Sequence, residues 1–141
     1  MIEIKLPPDT LSKIARMQKL PAEFPLAIKR GMDRALLIVT GRIQAKRLTG
    51  KGPFDPSFHR LGEVSQQLLR TTRSEPAVIA SNTVTGYIGS NANRRGVSYP
   101  SIHEYGGGKF PERSPFRTEI NENVDYISNE IGVEIEKTLN L

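Results

Sequence analysis

Residues 25–48, which read PLAIKRGMDRALLIVTGRIQAKRL, decide the fold of this chain. Apolar side chains recur in this stretch at steps of three and four residues, namely Ile28, Met32, Ala35, Leu36, Val39 and Ile43. Because an α-helix has 3.6 residues per turn, this spacing aligns them along one stripe that can be buried. The stretch therefore predicts a long helix from about Pro25 to Leu48.

The other faces of this predicted helix carry most of the positive charge of the chain. Residues 1–73 contain 14 Lys or Arg against 6 Asp or Glu, a net charge of +8, whereas residues 74–141 contain 6 against 9, a net charge of −3. A basic half favours contact with nucleic acid or with an acidic partner surface. The same split suits a head-to-tail oligomer, and ordinary solvated helix faces also produce it.

A second apolar stripe begins at Pro115 and predicts a C-terminal helix. Its residues again recur every three or four positions, namely Phe116, Ile120, Val124, Ile127, Ile131 and Ile135. Between the two helices, Ala77–Ala80 and Thr83–Gly89 are rich in β-branched residues, and Ser81-Asn82 separates them as the turn of a hairpin. This order predicts an α+β fold, in which the long N-terminal helix and the C-terminal helix pack on a small antiparallel β-sheet.

Length and composition limit the classes of protein to which the chain can belong. A chain of 141 residues is long enough for one domain, in which we expect residues 1–24 to form an arm with a short helix and residues 25–141 to form the core. No apolar run approaches the ~20 residues of a membrane span, and the first residues lack the pattern of a secretory signal. We therefore expect synthesis in the cytoplasm and no membrane partner.

Two loops stand out between the predicted elements. Residues 49–58 are rich in glycine and proline, and we expect Phe54 and Phe58 to pin them into an ordered loop. Its Gly50-Lys51-Gly52 lacks the spacing of a phosphate-binding loop, which requires a glycine five residues before the final Gly-Lys and Ser or Thr after it. Residues 91–96 form a polar, glycine-ended tip, which we expect to be a contact loop.

Few residues in the chain have catalytic or metal-binding character. The absence of cysteine excludes a disulfide framework, a thiolate nucleophile and sulfur-ligated zinc. His103 and Glu104 are adjacent, and their side chains diverge in either a helix or a strand. The other histidine, His59, is distant in sequence. We expect structural roles, no enzyme activity and no cofactor; a small hydrolase or nuclease built on these three residues is the weaker alternative.

Basic residues form a candidate contact surface. They are Arg30, Arg34, Arg42, Lys46 and Arg47 on the long helix, with Arg94 and Arg95 in the second loop. Such residues can neutralise phosphates without recognising base sequence. Because few aromatic residues lie among them, base stacking on single strands is disfavoured. A non-specific nucleic-acid-binding module is the second hypothesis for the chain.

The stretch 99–117, YPSIHEYGGGKFPERSPFR, has the highest density of special residues. Two motifs lie in it, and their residues are Tyr99, His103, Glu104, Tyr105 and Gly106 in the first and Pro111, Arg113, Pro115 and Phe116 in the second. Proline suits the first turn of a helix, because the amide hydrogen that it lacks would have no partner there. The stretch therefore predicts a joint leading into the last helix.

Over residues 25–135 these motifs, in this order, resemble phage tail-completion or virion-morphogenesis proteins, which belong to the head–tail neck and include minor tail proteins. The first resembles the family pattern Tyr-Ala-x-x-His-Glu-aromatic-Gly, with Pro100 in place of alanine, and the second resembles Pro-x-Arg-x-Pro-Phe. A Thr-Gly-x-Leu turn of the family is replaced here by Ser65-Gln66-Gln67-Leu68.

The resemblance implies a structural protein without catalysis. It implies a subunit of a homo-oligomeric ring that joins or completes the tail, and that has other neck and tail proteins as partners. Such a protein is expected in the bacterial host cytoplasm during assembly of a phage or prophage, and then in the virion. Contact with the passing DNA is compatible with this role.

Overall fold

Two sheets and six helices make up the described part of the chain. The computed structural model describes residues 1–17, 23–62, 67–81, 83–94, 97–107 and 111–139. The strands are β1 (Ile2–Ile4), β2 (Arg73–Ala80), β3 (Thr83–Gly89), β4 (Asn93–Arg94) and β5 (Val97–Ser98). The helices are α1 (Pro8–Met17), α2 (Glu23–Arg47), α3 (Gln67–Thr71), α4 (Tyr99–Tyr105), α5 (Pro115–Glu122) and α6 (Val124–Leu139), with a 3₁₀ turn at Pro56–Phe58.

The main sheet is antiparallel, with strand order β1-β3-β2. The hairpin predicted at residues 77–89 is confirmed as β2 and β3, although β2 begins four residues earlier than predicted. Its register shifts between Glu75 and Val78, around Pro76, which has no amide hydrogen to donate. The amide of Ala77 donates instead to the Asp33 carboxylate of α2, at 2.6 Å. This bond fastens the edge strand to the long helix.

Helix α2 is the centre of the molecule and confirms the helix predicted for residues 25–48. Its buried arc is wider than the predicted stripe, because the sheet and α6 both pack on it. On one side, a Cβ atom on Gly86 of β3 would lie 2.3 Å from Leu36 Cδ1. On the other side, a Cβ atom on Gly31 would lie 2.6 Å from the Cα atom of Ile131 in α6. Glycine at both positions permits the close approach.

The α+β class is confirmed: the long helices α2 and α6 pack with a three-stranded antiparallel sheet. Helix α2 packs directly on β2 and β3, and α6 packs along α2.

The prediction of a single C-terminal helix from Pro115 is wrong in one respect, since the helix is broken at Asn123 into α5 and α6. The Asn123 side chain donates to the Glu119 carbonyl at 2.7 Å and to its carboxylate at 2.9 Å. These bonds compete with continuation of the helix.

The loop predicted at residues 91–96 also differs from expectation. Part of this loop is a strand, since Asn93 pairs with Ser98 and Arg94 with Val97 in a second, two-stranded sheet. The arm predicted at residues 1–24 contains the short helix α1, and its β1 is an edge strand of the main sheet.

Within the described residues, none of the helices combines the length and apolarity needed to cross a membrane.

The tight contact at Gly86 predicts a matched pair of stability effects. Gly86→Ala should lower the free energy of unfolding by about 1–3 kcal/mol, because the added methyl group would displace Leu36 and Met32. Gly41→Ala, where no atom lies within 4 Å of the new Cβ apart from the adjacent residues and the helix's own backbone, should raise it by about 0.5–1 kcal/mol. Urea unfolding measures both, and a shift of the same sign for both variants would contradict this packing.

Candidate functional site

The buried carboxylate of Glu104, in α4, caps the first turn of α5. Pro115 is the first residue of α5 and has no amide hydrogen, and Ser114 before it makes no side-chain cap. The first amide that needs a partner is therefore that of Phe116. It donates to Glu104 Oε1 at 2.7 Å. A negative charge at this end of a helix is also favoured by the helix dipole.

Arg117 completes the same contact from the second residue after Pro115. Its Nε donates to Glu104 Oε2 at 3.0 Å, and its Nη2 donates to the Glu104 carbonyl oxygen and, at 2.7 Å, to Glu112. The guanidinium also lies over the Tyr105 ring, 4.5 Å from its centroid. Because the Arg113 amide donates to the His103 carbonyl at 2.7 Å, the end of α4 and the start of α5 form one unit.

The loop at residues 49–62 is the third part of this unit. His59 Nδ1 accepts from the Ser114 amide at 3.0 Å and lies 3.1 Å from Ser114 Oγ. Arg113 Nη2 donates to the Phe54 carbonyl at 3.2 Å. We call the contacts of Phe54, His59, His103 and Glu104 with residues 113–117 the α5 junction. It ties two segments, the distant loop and the end of α4, to one helix start.

The predicted ordered loop is present, but only one of its phenylalanines pins it. The Arg60 guanidinium lies over the Phe54 ring at 4.1 Å and donates to the Thr49 carbonyl at 2.9 Å. Phe58 instead is 65% exposed. The expectation that both rings pin the loop is therefore wrong for Phe58, because the 3₁₀ turn capped by Asp55 directs it outward.

Arg47 was predicted on the basic contact surface, and the structure buries it. Its Nε lies 3.0 Å from Glu119 Oε2, and its Nη2 lies 2.8 Å from Glu122 Oε2. Its Nη1 donates to the Phe58 carbonyl oxygen. Carboxylates on α5 hold the guanidinium between α2 and the loop, so Arg47 is not on a free face.

Arg30, Arg34 and Lys46 of α2 also have partners in the second half of the chain. Arg34 Nη1 lies 2.7 Å from Glu134, and Arg30 Nε lies 3.6 Å from the same carboxylate. Lys46 lies 3.2 Å from Glu119. Cations from the first half of the chain are therefore paired with carboxylates from the second half, along the contact of α2 with α5 and α6. The side chains of Arg30, Arg34 and Lys46 are still about half exposed, at 49–55%.

Arg42 also faces α6, since Nη1 donates to Asn123 Oδ1 and its guanidinium lies 4.3 Å from the Tyr126 ring centroid. For three predicted site residues the structure does not describe a side chain. Arg95 lies outside the described residues, and of Arg94 and Tyr99 only the backbone is described. Gly106 follows α4 with a φ of 74°, and Pro111 precedes the α5 junction on the surface.

Burial and pairing shift three pKa values around the α5 junction. Burial raises the pKa of Glu104, and the hydrogen bonds from Phe116 and Arg117 oppose that effect without cancelling it. Burial also opposes ionisation of Glu119, but the bonds from Arg47, Asn123 and Lys46 outweigh it and lower its pKa. Burial and the nearby charge of Arg113 lower the pKa of His103, which favours a neutral imidazole.

The polar groups of the α5 junction hold backbone rather than form a reacting pair. His59 and Ser114 lie within hydrogen-bond distance, but the Ser114 amide already donates to the same Nδ1 that would act as a base. His59 binds Ser114 while His103 binds Arg113 through its carbonyl. Within the described ranges, no cluster of His, Asp and Glu has the arrangement of a metal site.

Two contacts of the α5 junction were missed by sequence reasoning. The first is the bond of Arg117 to Glu104. Arg117 directly follows Pro115-Phe116 in the second motif, and a cation in one motif with a carboxylate in the other was a signal that could have suggested the bond. The pairing of His59 with Ser114 spans 55 residues. No local pattern indicates such a contact.

A cavity of about 470 Å³ lies beside α5, next to Arg117 and away from the side that presents Glu119 and Glu122 to Arg47. One wall is the N-terminal segment from Met1 to Pro7, which includes β1, and the opposite wall is formed by α5 and the start of α6. Residues on that wall include Arg117, Ile120, Asn121, Val124 and Ile127, with Tyr105 beside them. We call it the β1–α5 cavity.

Comparisons of this chain with known protein families, with curated protein sequences and with solved structures found no match.

The cap on α5 predicts unequal effects for the two carboxylates that share Arg117. Glu104→Ala should lower the free energy of unfolding by about 1–3 kcal/mol, because it leaves the buried Phe116 amide without its acceptor. Glu112→Ala, which removes a surface carboxylate from the same guanidinium, should cost less than about 1 kcal/mol. Denaturant unfolding compares them, and equal losses would show that the cap is unimportant.

The low pKa of Glu119 predicts a stability that falls in acid. A carboxyl group whose folded pKa lies below its ordinary value of about 4.5 contributes stability above that pH, and the contribution is lost as pH falls through the folded pKa. Glu119→Gln should therefore flatten the decline in unfolding free energy below pH 4.5. Glu136→Gln, on the exposed side of α6, serves as the control. If both variants decline as steeply as the wild type, the assignment to Glu119 fails.

Proposed function

We propose that this chain is a structural protein of the head–tail neck or tail-completion region of a phage or prophage, and that it joins or completes the tail as a subunit of a ring. The observation that carries the proposal is the bond of Glu104 to the Phe116 amide and to Arg117. It links the two motifs on which the resemblance to tail-completion proteins rests. Their spacing in the chain thus has a physical reason.

The chemistry of the α5 junction supports assembly rather than catalysis. Glu104 binds two donors through its carboxylate, and His59 binds the backbone before α5. Groups used in this way fix the orientation of a helix and leave little capacity for proton transfer. A ring subunit requires such rigidity, because small errors in subunit geometry accumulate around a closed ring.

The surface of α2 supports protein partners over nucleic acid. Arg30 and Arg34 share the Glu134 carboxylate, and Lys46 shares Glu119 with Arg47. Carboxylates so close to the cations reduce their attraction for phosphate. Half-exposed ion pairs can instead be completed by further charged groups on other subunits and on neighbouring neck and tail proteins.

Deletion of the gene from its phage, or from an inducible prophage, tests the proposal. Full heads and finished tails should accumulate unjoined or incomplete, as seen by electron microscopy, and a plasmid copy of the wild-type gene should restore virions. Glu112→Ala should restore them as well, whereas Glu104→Ala should not. Normal virions in the deletion strain would contradict the proposal.

A further inference from the structure

We propose that the outer edge of β1 and the β1–α5 cavity bind an extended, acidic segment of a partner protein, which adds a strand to the main sheet. This docking surface goes beyond the proposed function, because it is argued from the strand edge and the cavity alone. Three observations carry it. The cavity lies along a strand edge, that edge keeps backbone groups for a further strand, and positive charge lines the cavity.

The cavity follows the edge of β1 rather than one of its faces. Its first wall includes the consecutive residues Ile2, Glu3 and Ile4, with Lys5 after them. Side chains of successive strand residues point to opposite faces of a sheet, so a cavity lined by all of them lies beside the strand. Strand β3 occupies one side of β1, where Glu3 pairs with Tyr87. The cavity therefore lies along the other edge, between β1 and α5.

The outer edge of β1 has backbone groups for a further strand. In an antiparallel pair, the amide and carbonyl groups of every second residue point away from the partner strand. Within the described residues, Ile2–Ile4 make no backbone hydrogen bond other than those of the pairing with β3. Such an edge is a template for an added strand, which binds through the same main-chain bonds that hold a sheet together.

The opposite edge of the sheet, β2, is less suited to such an addition. Pro76 has no amide hydrogen, and the register of β2 shifts beside it. The Ala77 amide already donates to Asp33 of α2, at 2.6 Å. Prolines and irregular register are devices by which proteins protect an edge strand. Strand β1 contains no proline, so it is the open edge of this sheet.

The cavity has the size and the lining that an extended segment requires. Its volume of about 470 Å³ lies within the range of roughly 300–1,000 Å³ that ligand sites occupy. Ile120, Val124 and Ile127 supply apolar surface opposite β1, and the exposed lining as a whole is about equally polar and apolar. A strand matches both kinds of surface, because it offers main-chain polar groups to β1 and alternate side chains to the helical wall.

Positive charge on the lining favours an acidic segment. Lys5 and Arg117 line the cavity against one carboxylate, that of Glu3. Because Arg117 is already bonded to Glu104 and Glu112, Lys5 is the more available cation. The Lys5 side chain is 79% exposed, and its ion pair with Glu3 is long, at 3.6 Å. A carboxylate on the incoming segment would complement Lys5, whereas a basic residue there would meet a like charge.

A library of short random peptides displayed on yeast tests the docking surface without assuming one sequence. The labelled full chain should enrich peptides that have apolar residues at alternate positions and an excess of Asp and Glu over Lys and Arg. Asn121→Trp fills the cavity from its exposed rim and should enrich none of them. Asn129→Trp, an exposed site on α6 outside the cavity, should enrich the same peptides. Circular dichroism confirms that both variants are folded.

Two outcomes of this selection would overturn the proposal. One is that the wild type enriches no peptide. The other is that folded Asn121→Trp enriches the same peptides as the wild type, since they would then bind outside the cavity.

Reversal of the Lys5 charge tests the recognition of an acidic residue. The probe is a synthetic, fluorescent copy of the most enriched peptide, and its binding is measured by fluorescence anisotropy. Lys5→Glu should weaken binding at least about fivefold, because attraction becomes repulsion. Lys51→Glu makes the same change of charge on an exposed loop outside the cavity and should bind as the wild type does. Equal weakening in the two variants would overturn the contact with Lys5.

Strand addition also has a signature that side-chain contacts alone would not give. Two copies of the peptide are N-methylated at alternate residues, one in each of the two possible frames. One copy should lose binding and the other should keep it, because only every second amide faces β1. The bound peptide should also slow amide hydrogen exchange in β1, as measured by NMR. Equal binding of the two copies, or unchanged exchange throughout β1, would show that no strand is added.

These experiments separate the docking surface from the proposed function. If the selected peptides bind at the cavity while the deletion phage makes normal virions, the docking surface stands and the phage role fails. If heads and tails stay unjoined while the wild type enriches no peptide, the phage role stands and the docking surface is wrong. Self-association that Asn121→Trp abolishes, seen by sedimentation, would show a second copy of this chain as the occupant and overturn the assignment to a partner protein.

Discussion

The carboxylate of Glu104 provides the constraint on which the rest of the α5 junction depends. It is only 2% exposed, and it joins α4 to the first turn of α5 through the Phe116 amide and Arg117. Ionising a buried carboxylate is costly unless donors surround it, and the pKa of Glu104 is raised by that burial. The Phe116 amide therefore gains its acceptor, and the buried carboxylate gains two of the donors that it needs.

The orientation of α5 then determines where its two faces point. One face presents Glu119 to Arg47 and so holds the loop that carries Phe58. The other face lines the β1–α5 cavity with Ile120 and Asn121. A change at the cap would therefore move both faces of α5 together.

Local patterns predicted the parts of the fold that depend on local physics. The apolar period of α2 and the β-rich hairpin at residues 77–89 were both confirmed, because each pattern directly reflects the face that an element buries. The break at Asn123 was not predicted, because the apolar period runs through it without interruption; its bonds to Glu119 are local, but its bond with Arg42 spans 81 residues. Burial of Arg47 likewise requires a carboxylate 72 residues away. The motifs at residues 99–117 indicated a joint, but not which donors bind Glu104.

The exchange rate of the Phe116 amide hydrogen, measured by NMR, tests the central role of Glu104 most directly. Within the described residues, this amide bonds to the Glu104 carboxylate rather than to a helical carbonyl. The account predicts slow exchange in the wild type and in Glu104→Gln, which keeps an acceptor oxygen. It predicts fast exchange in Glu104→Ala under conditions in which the Ile131 amide of α6 stays protected. Equal protection of the Phe116 amide in Glu104→Ala and the wild type would contradict it.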